Sequence, residues 1–486
     1  MRLGAFSNRT LRFAPPSSAI SLGVIAAIAW TTRARADEPY AATEPHLLDE
    51  TAEVTSVVDA FDRDDPFDLH IYAGFMQRWK RADIHRETAL NQPGLSTGGF
   101  VANTENVARF SEDTSILNVG AEIGLFRDLA LTFRLPIILS DSRSLGDLDG
   151  SSANPQRLQD PAGGTLFTVP FTSPTRSGID YFSVGLDWAA TNQQRDATKP
   201  TWLIGLEGRF GVGDPLHACN ATSGTNFCPD PATLANTRSP GVSRAMYGLD
   251  ARTLISKRFG YVEPYTGIEA LFEFPRSDSD MGTAVNPGNI SGALVSLPPV
   301  VGTFTLGVEV IPWERREAFQ RFVINLHVQG IYSSPGRDYT ELFDALGSST
   351  AASLRTPNPG AYTMGPNGTS IADTSAQKVY FTGITDQAAY GAINLQGSAT
   401  MMAGEYVKFT VGGGARFNQS HIITAAEPCN PNVTSTTATA GPCIVGGQTT
   451  GIPDANYRAI IDTPGHRFSV DNTVIGNFNV TATLMF

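Results

Sequence analysis

His327 stands between Asn325 and Gln329 on one parity of the stretch "RFVINLHVQGIY", Arg321 to Tyr332. A histidine beside an amide is the general-base half of a Ser-His-Asn arrangement. The other half is missing, because the sequence pattern places no serine to meet it. His70, in "FDLHIYAGF", has the same polar parity and the same lack of a nucleophile. Both histidines read as hydrogen-bonding groups on a polar face, and no catalytic residue is assigned.

Carboxylates are the second chemical candidate. Glu122, Asp187, Glu207, Asp250, Glu269, Glu273 and Glu309 alternate with apolar neighbours, and so do Arg134, Arg209, Arg252, Lys408 and Arg416. Paired acids can do acid–base work. Acids and bases mixed along alternating strands fit cross-strand pairs or a charged pore lining better. "GVGDPL" and "VGGGAR" carry glycines but no strand-loop-helix context for a phosphate. "DRDD" (Asp62 to Asp65) lacks the spacing that fixes several oxygens around calcium. No cofactor or metal is expected.

Cys219 and Cys228 lie in one loop-like segment, Cys429 and Cys443 in another. An even count in an exported chain points to disulfides. Pairing within each segment is the simplest arrangement of the three that four cysteines allow.

The elements that must position these groups are strands. The 486-residue chain has 47 Gly, 31 Pro and 41 % hydrophobic residues, with a mean hydropathy of -0.10. Helical periodicity is nearly absent. "LNVGAEIGLFRDLALTFRLPIIL" (Leu117 to Leu139) is apolar at every second position on both sides of Phe126-Arg127-Asp128, a hairpin signature. The unit recurs around residues 191–200, 256–260, 311–320 and 402–405, with single strands at 67–80 and at the end of the chain. That predicts twelve strands. Short turns alternate with long polar segments near 83–111, 142–177, 214–242, 275–299, 336–386 and 423–466. Trp188, Trp202, Trp313 and Tyr406 lie beside the short turns, and Trp79 and Tyr332 near the opposite ends. Pro136 and Pro264 require a bulge or a strand end, since neither can donate to a ladder.

Residues 1–36 read as a secretory signal: Arg2, Arg9 and Arg12, then the apolar "AISLGVIAAIAW", then "ARA". Removing it deletes five arginines and no acids, taking the formal charge from -12 to -17. That balance argues against a nucleic-acid partner. Residues 37–66 are strongly acidic. Val54, Val57, Val58 and Phe61 have helical spacing with Thr51 as cap, so a short helix at 50–62, serving as a lumenal plug or a periplasmic docking element, stands beside an equal reading as a disordered acidic linker.

Signal, alternating hairpins, turn–loop asymmetry and the terminal "NFNVTATLMF" together resemble Gram-negative outer-membrane β-barrel proteins. The resemblance covers residues 67–486 and implies an all-β fold, an antiparallel transmembrane barrel of about 12 strands with long extracellular loops and short periplasmic turns. It implies that Phe478, Val480, Leu484 and Phe486 form the signal read by the barrel-assembly machinery, with Ala482 where a larger apolar residue is common. Outer-membrane lipid and small solutes are the other implied partners. The expected function is a porin-like channel or facilitator for passive diffusion of small polar or amphipathic solutes. A non-conducting surface protein whose loops bind a partner is the alternative, and a barrel-embedded hydrolase a more remote one.

Overall fold

The structure is a computed structural model. It describes residues 52–58, 60, 68–91, 100–149, 158–159, 164–281, 293–359, 362–364, 370–372, 378–431, 444–445, 448–449 and 452–486. Residues 1–51, with the expected signal and the start of the acidic segment, lie outside them.

Twelve long strands follow one another around a single sheet. They are β1 (Leu69–Asn91), β2 (Phe100–Phe126), β3 (Leu129–Gly146), β4 (Tyr181–Thr191), β5 (Thr201–Gly211) and β6 (Met246–Ser256). The second half is β7 (Val262–Pro275), β8 (Val301–Arg315), β9 (Gln320–Ser333), β10 (Tyr390–Gly404), β11 (Val407–Asn418) and β12 (Phe468–Met485). Each pairs antiparallel with its sequence neighbour. β12 pairs with β1 as well as β11, so the sheet closes into a barrel. The seam runs to the chain end, where Leu69 and Phe486 exchange N–H···O bonds of 2.9 Å in both directions.

Alternation decides which face is which. Ile71, Phe75, Leu186, Leu206, Phe304, Leu326, Leu395, Val411 and Val480 all point outward and are exposed. The opposite parity points inward. An apolar exterior around a polar interior is the reverse of a soluble sheet, and suits hydrocarbon outside and water inside. Aromatic residues mark both rims of the belt: Trp188, Trp202, Tyr261, Trp313 and Tyr406 near the short turns, Trp79, Tyr247 and Tyr332 toward the loops.

Three local expectations meet the structure differently. The segment 83–111 is mostly strand, because the β1–β2 ladder continues to Asn91 opposite Phe100. Its alternating polar residues complete backbone hydrogen bonds beyond the apolar belt. Pro136 sits where the pairing of β3 with β4 ends, at Arg134 opposite Ser183. Pro264 lies just past the β6–β7 ladder, which ends with Ser256 opposite Tyr265. Where valine spacing predicts a helix, residues 52–58 form one turn, closed by Thr55 N–H and Ser56 N–H to the Ala52 carbonyl at 2.8 Å. Thr51 and Phe61 lie outside the described residues. The Glu53 N–H and the Thr55 hydroxyl engage barrel side chains.

The long loops fold into the loop end of the barrel. Leu166, Phe167 and Phe171 from one loop meet Leu342, Leu346, Leu354 and Phe381 from another. Ile423, Ile460 and Ile461 from a third complete a core against Ile84, Phe110 and Phe468 of the strands. A smaller core joins Leu216, Met246, Met281, Phe343 and Ile384. Two short helices, Phe343–Gly347 and Ala459–Asp462, belong to this cap.

Inside, Tyr72 lies across Gly120, its register partner on β2. A Cβ at Gly120 would collide with the Tyr72 ring and the Phe133 carbonyl. Gly120→Val therefore overpacks the wall and should cost about 1–3 kcal/mol, measured as a lowered urea midpoint in lipid vesicles. Tyr72→Ala in the same chain should recover part of the loss. Equal midpoints for wild type and Gly120→Val would refute this packing.

Candidate lumenal site

The inward residues fall into layers. At the short-turn end, the 52–58 turn sits inside the barrel mouth. Glu53 N–H donates to both oxygens of Glu309 on β8, at 3.0 and 3.1 Å. The Glu53 carboxylate lies 3.3 Å from Lys408 Nζ on β11. The Thr55 hydroxyl is 2.7 Å from that of Ser256 on β6, which donates to Glu263 at 2.7 Å. One short turn thus ties three well-separated strands together, and Ala52, Thr55, Val58 and Ala60 are buried. His70 lies nearby on β1, 4.0 Å from Glu122.

Above this turn, β3 to β7 carry a connected set of charges. Arg134 donates to Glu207 at 2.7 Å, Glu207 accepts from Arg209 at 2.8 Å, and Arg209 donates to Asp250 at 2.6 Å. Arg252 grips both oxygens of Asp187, at 2.8 and 2.7 Å. That pair crosses β5 over Gly205, the register partner of both residues, where a Cβ would strike the two side chains. Glu269 stands opposite Arg252 on β7. The Arg134 side chain remains 36 % exposed, and Arg252 29 %, so this wall borders open interior space.

The facing wall is mostly uncharged, with Glu309 at its short-turn end. Tyr265 OH donates to Asn325 Oδ1 at 2.9 Å, and Asn325 Nδ2 donates to Glu309 at 2.8 Å. His327 Nδ1 is 3.1 Å from the same Asn325 oxygen. Gln329, Asn394 and Gln396 continue as an amide chain, with bonds of 2.7 and 3.1 Å. His327 therefore belongs to an amide network. The chain's G-x-S-x-G spacing, Gly94 to Gly98, falls outside the described residues.

Under the cap a third layer appears that the sequence pattern did not single out. Arg78 and Arg143 each lie 3.4 Å from Glu112, and Arg143 reaches Asp141 at 2.8 Å. Lys80 pairs with Glu341 of the cap at 2.6 Å. Arg176 binds Asp344 through two bonds of 3.1 and 2.6 Å, with its side chain fully buried. Arg337 binds Asp386 at 2.9 Å within the cap. The available signal was the polar parity of Arg78 and Lys80, which continues the alternation of β1. Arg78 finds Glu112 on the neighbouring strand β2, but Glu341, the partner of Lys80, comes from a distant loop where no periodicity points to it.

The remaining candidate residues separate. Glu273 pairs with Arg244 at the loop end, at 2.8 Å, and Arg416 donates to Asn418 at 2.8 Å. Cys219 and Cys228 are disulfide-bonded within one loop. Cys429 is also disulfide-bonded, and Cys443 lies outside the described residues. Phe478, Val480 and Leu484 face outward on β12, and Phe486 is exposed beside the seam.

No protein-family model matches the chain, and no curated protein sequence does. Among solved structures, it is similar to an outer-membrane channel from Pseudomonas putida F1, at 10% identity and a TM-score of 0.34, over 85% of this chain and 95% of that one. It is also similar to a Pseudomonas aeruginosa FadL homologue, at 11% identity and a TM-score of 0.30, over 85% and 90%. The outer-membrane channel DcaP of Acinetobacter baumannii matches at 10% and 0.21, over 88% and 100%. The barrel closure, the apolar belt and the aromatic rims are those of a membrane-spanning antiparallel β-barrel of the outer-membrane type, with short turns at one end and the cap at the other.

The cap supplies two tests. Arg176→Met leaves the buried Asp344 carboxylate without its bidentate cation, though still accepting the Cys219 N–H at 2.9 Å, which should cost about 3–5 kcal/mol. Limited proteolysis of the cap loops should accelerate, and Arg176→Met/Asp344→Leu should recover resistance. Unchanged cleavage in Arg176→Met would dismiss the pair as a structural tie. Burial pushes the Asp462 carboxyl of the cap up to about 8, with the Asp386 charge adding to it. The folded cap then holds a proton that the unfolded chain releases near 3.8. Its stability should fall as pH rises between those values, and Asp462→Asn should flatten that slope. A melting temperature with the same pH slope in both proteins would contradict the assignment.

Proposed function

We propose that the protein is an outer-membrane channel or facilitator through which small polar or amphipathic solutes pass by diffusion. The carrying observation is the interior between the turn at 52–58 and the cap. Partly exposed arginines on β3 to β6 there face a chain of amides on β9 and β10. Such a lining offers hydrogen bonds and both charge signs along its length, which suits weak, multi-site passage. The residues that line it in this reading are Glu122, Arg134, Asp187, Glu207, Arg209, Asp250, Arg252, Glu269, Glu309, His327 and Lys408, with Glu273 and Arg416 nearer the mouth.

In the same reading, residues 37–66 act as a periplasmic plug anchored through Glu53 and Thr55, and residues 1–36 direct export. Phe478, Val480, Leu484 and Phe486 serve as the assembly signal. The packed cap favours a second reading, a non-conducting surface protein whose loops bind a partner, because a core of buried Leu, Phe and Ile fills the outer mouth.

Single-channel recording in planar bilayers separates the two. Deleting residues 37–62 should raise conductance, and Glu53→Ala, which removes the carboxylate beside Lys408 and keeps the backbone bond to Glu309, should shorten closed times more modestly. Silence from both the intact and the deleted protein would leave the surface-protein reading standing and end the channel one.

A further inference from the structure

We propose that Arg78, Thr114 and Arg416 form a lumenal subsite for the carboxylate of a small amphipathic organic acid. The proposal rests on the reading of the lumen as a solute path and names the solute class. Arg78 on β1 and Thr114 on β2 are direct register partners of inward parity. Thr114 is 2 % exposed, and its hydroxyl has no hydrogen-bond partner. The buried Nε of Arg78 also has none. Two adjacent polar groups held without partners inside a membrane barrel are costly unless something completes them.

The local charge balance favours an anion. Among the described residues Arg78 is ion-paired to Glu112, at 3.4 Å, which is shared with Arg143 at the same distance. Asp141, the register partner of Thr114 on β3, is held by Arg143 at 2.8 Å, so with Lys80 and Arg416 four cations stand against Glu112, Asp141 and Glu341. Glu341 is taken up by Lys80 at 2.6 Å. Arg416 donates to the neutral Asn418 and has no carboxylate partner among the described residues. On β12, Arg78 lies opposite Asn477 and Arg416 opposite Ile475, so a single strand separates the two arginines. Two strand spacings of ~5 Å each bring their long side chains within reach of one ligand.

The other end of the ligand is also provided for. Met76, one inward position from Arg78 toward the periplasm, stands opposite Ile116, which stands opposite Ile138. Three apolar side chains in a row interrupt an otherwise polar lining directly below the cationic groups. A carboxylate would take hydrogen bonds from the Arg78 guanidinium and the Thr114 hydroxyl, with Arg416 adding charge. Its apolar body would rest on the Met76–Ile116–Ile138 row. A plain inorganic anion would leave that row unused.

The test is isothermal titration calorimetry of the folded mature protein in detergent, with benzoate and its neutral isostere benzamide as probes. Benzoate should bind and benzamide should not. Arg78→Met and Arg416→Met should each weaken benzoate about tenfold, the loss of a charge-assisted bond. Thr114→Val, nearly isosteric and least able to disturb folding, should weaken it several-fold while the protein keeps its heat-resistant barrel mobility. Equal binding of the two probes, or benzoate affinity unchanged in folded Arg78→Met/Arg416→Met, would overturn the subsite. Binding at equilibrium does not require conduction. Benzoate binding by a protein that passes no current would therefore count against the channel reading and leave the subsite intact.

Discussion

Hydrocarbon leaves a peptide N–H or C=O no partner except another peptide group, and every other feature of this molecule follows from meeting that demand. A single strand left at an edge would carry a row of unmet bonds at several kcal/mol each. The ladder from β12 back to β1 removes both edges at once. Closure then sets the alternation: each strand must offer one parity to lipid and the other to the interior. It also sets where glycine is needed, as at Gly205, where the Asp187–Arg252 pair crosses the strand between them. Side chains can be exchanged more freely than the closure that orders them.

Within that ring, charge is handled differently at each depth. Around the middle, arginines and acids lie on neighbouring strands and bond across them, so few bare charges face the interior. Under the cap the pairs run between barrel and loop, as in Lys80–Glu341 and Arg176–Asp344. Pairs of the second kind position the loops as well as neutralise charge, because each partner lies on a separately folded piece. A buried pair is weak as a source of net stability and strong as a constraint on arrangement, since breaking it strands an ion.

The twelve strands and their inward residues were legible because lipid and water impose a period of two that survives in the residue order. "LNVGAEIGLFRDLALTFRLPIIL" shows its hairpin unaided, and Arg134, Glu207 and Arg252 fall on the inward parity as that pattern requires. The cap was not legible. Leu342, Leu346, Ile460 and Ile461 are isolated apolar residues in polar segments, and they become a core only when several separate loops meet. The 50–62 segment misled in the opposite direction. Its valines carry helical spacing, yet its described part, 52–58, makes a single turn held to β6 and β8 through Thr55 and Glu53. The extension of β1 and β2 past the apolar belt was hidden for a simpler reason: beyond the lipid, alternation no longer needs to be apolar.

The hydrogen bonds between Leu69 and Phe486 join the first strand to the last residue of the chain. The chain between them is already long, and loop-closure entropy grows only slowly with length, by about 0.6 kcal/mol for each doubling. Insertions into the long loops can therefore reshape what the mouth presents at little cost to the ladder that holds the barrel shut.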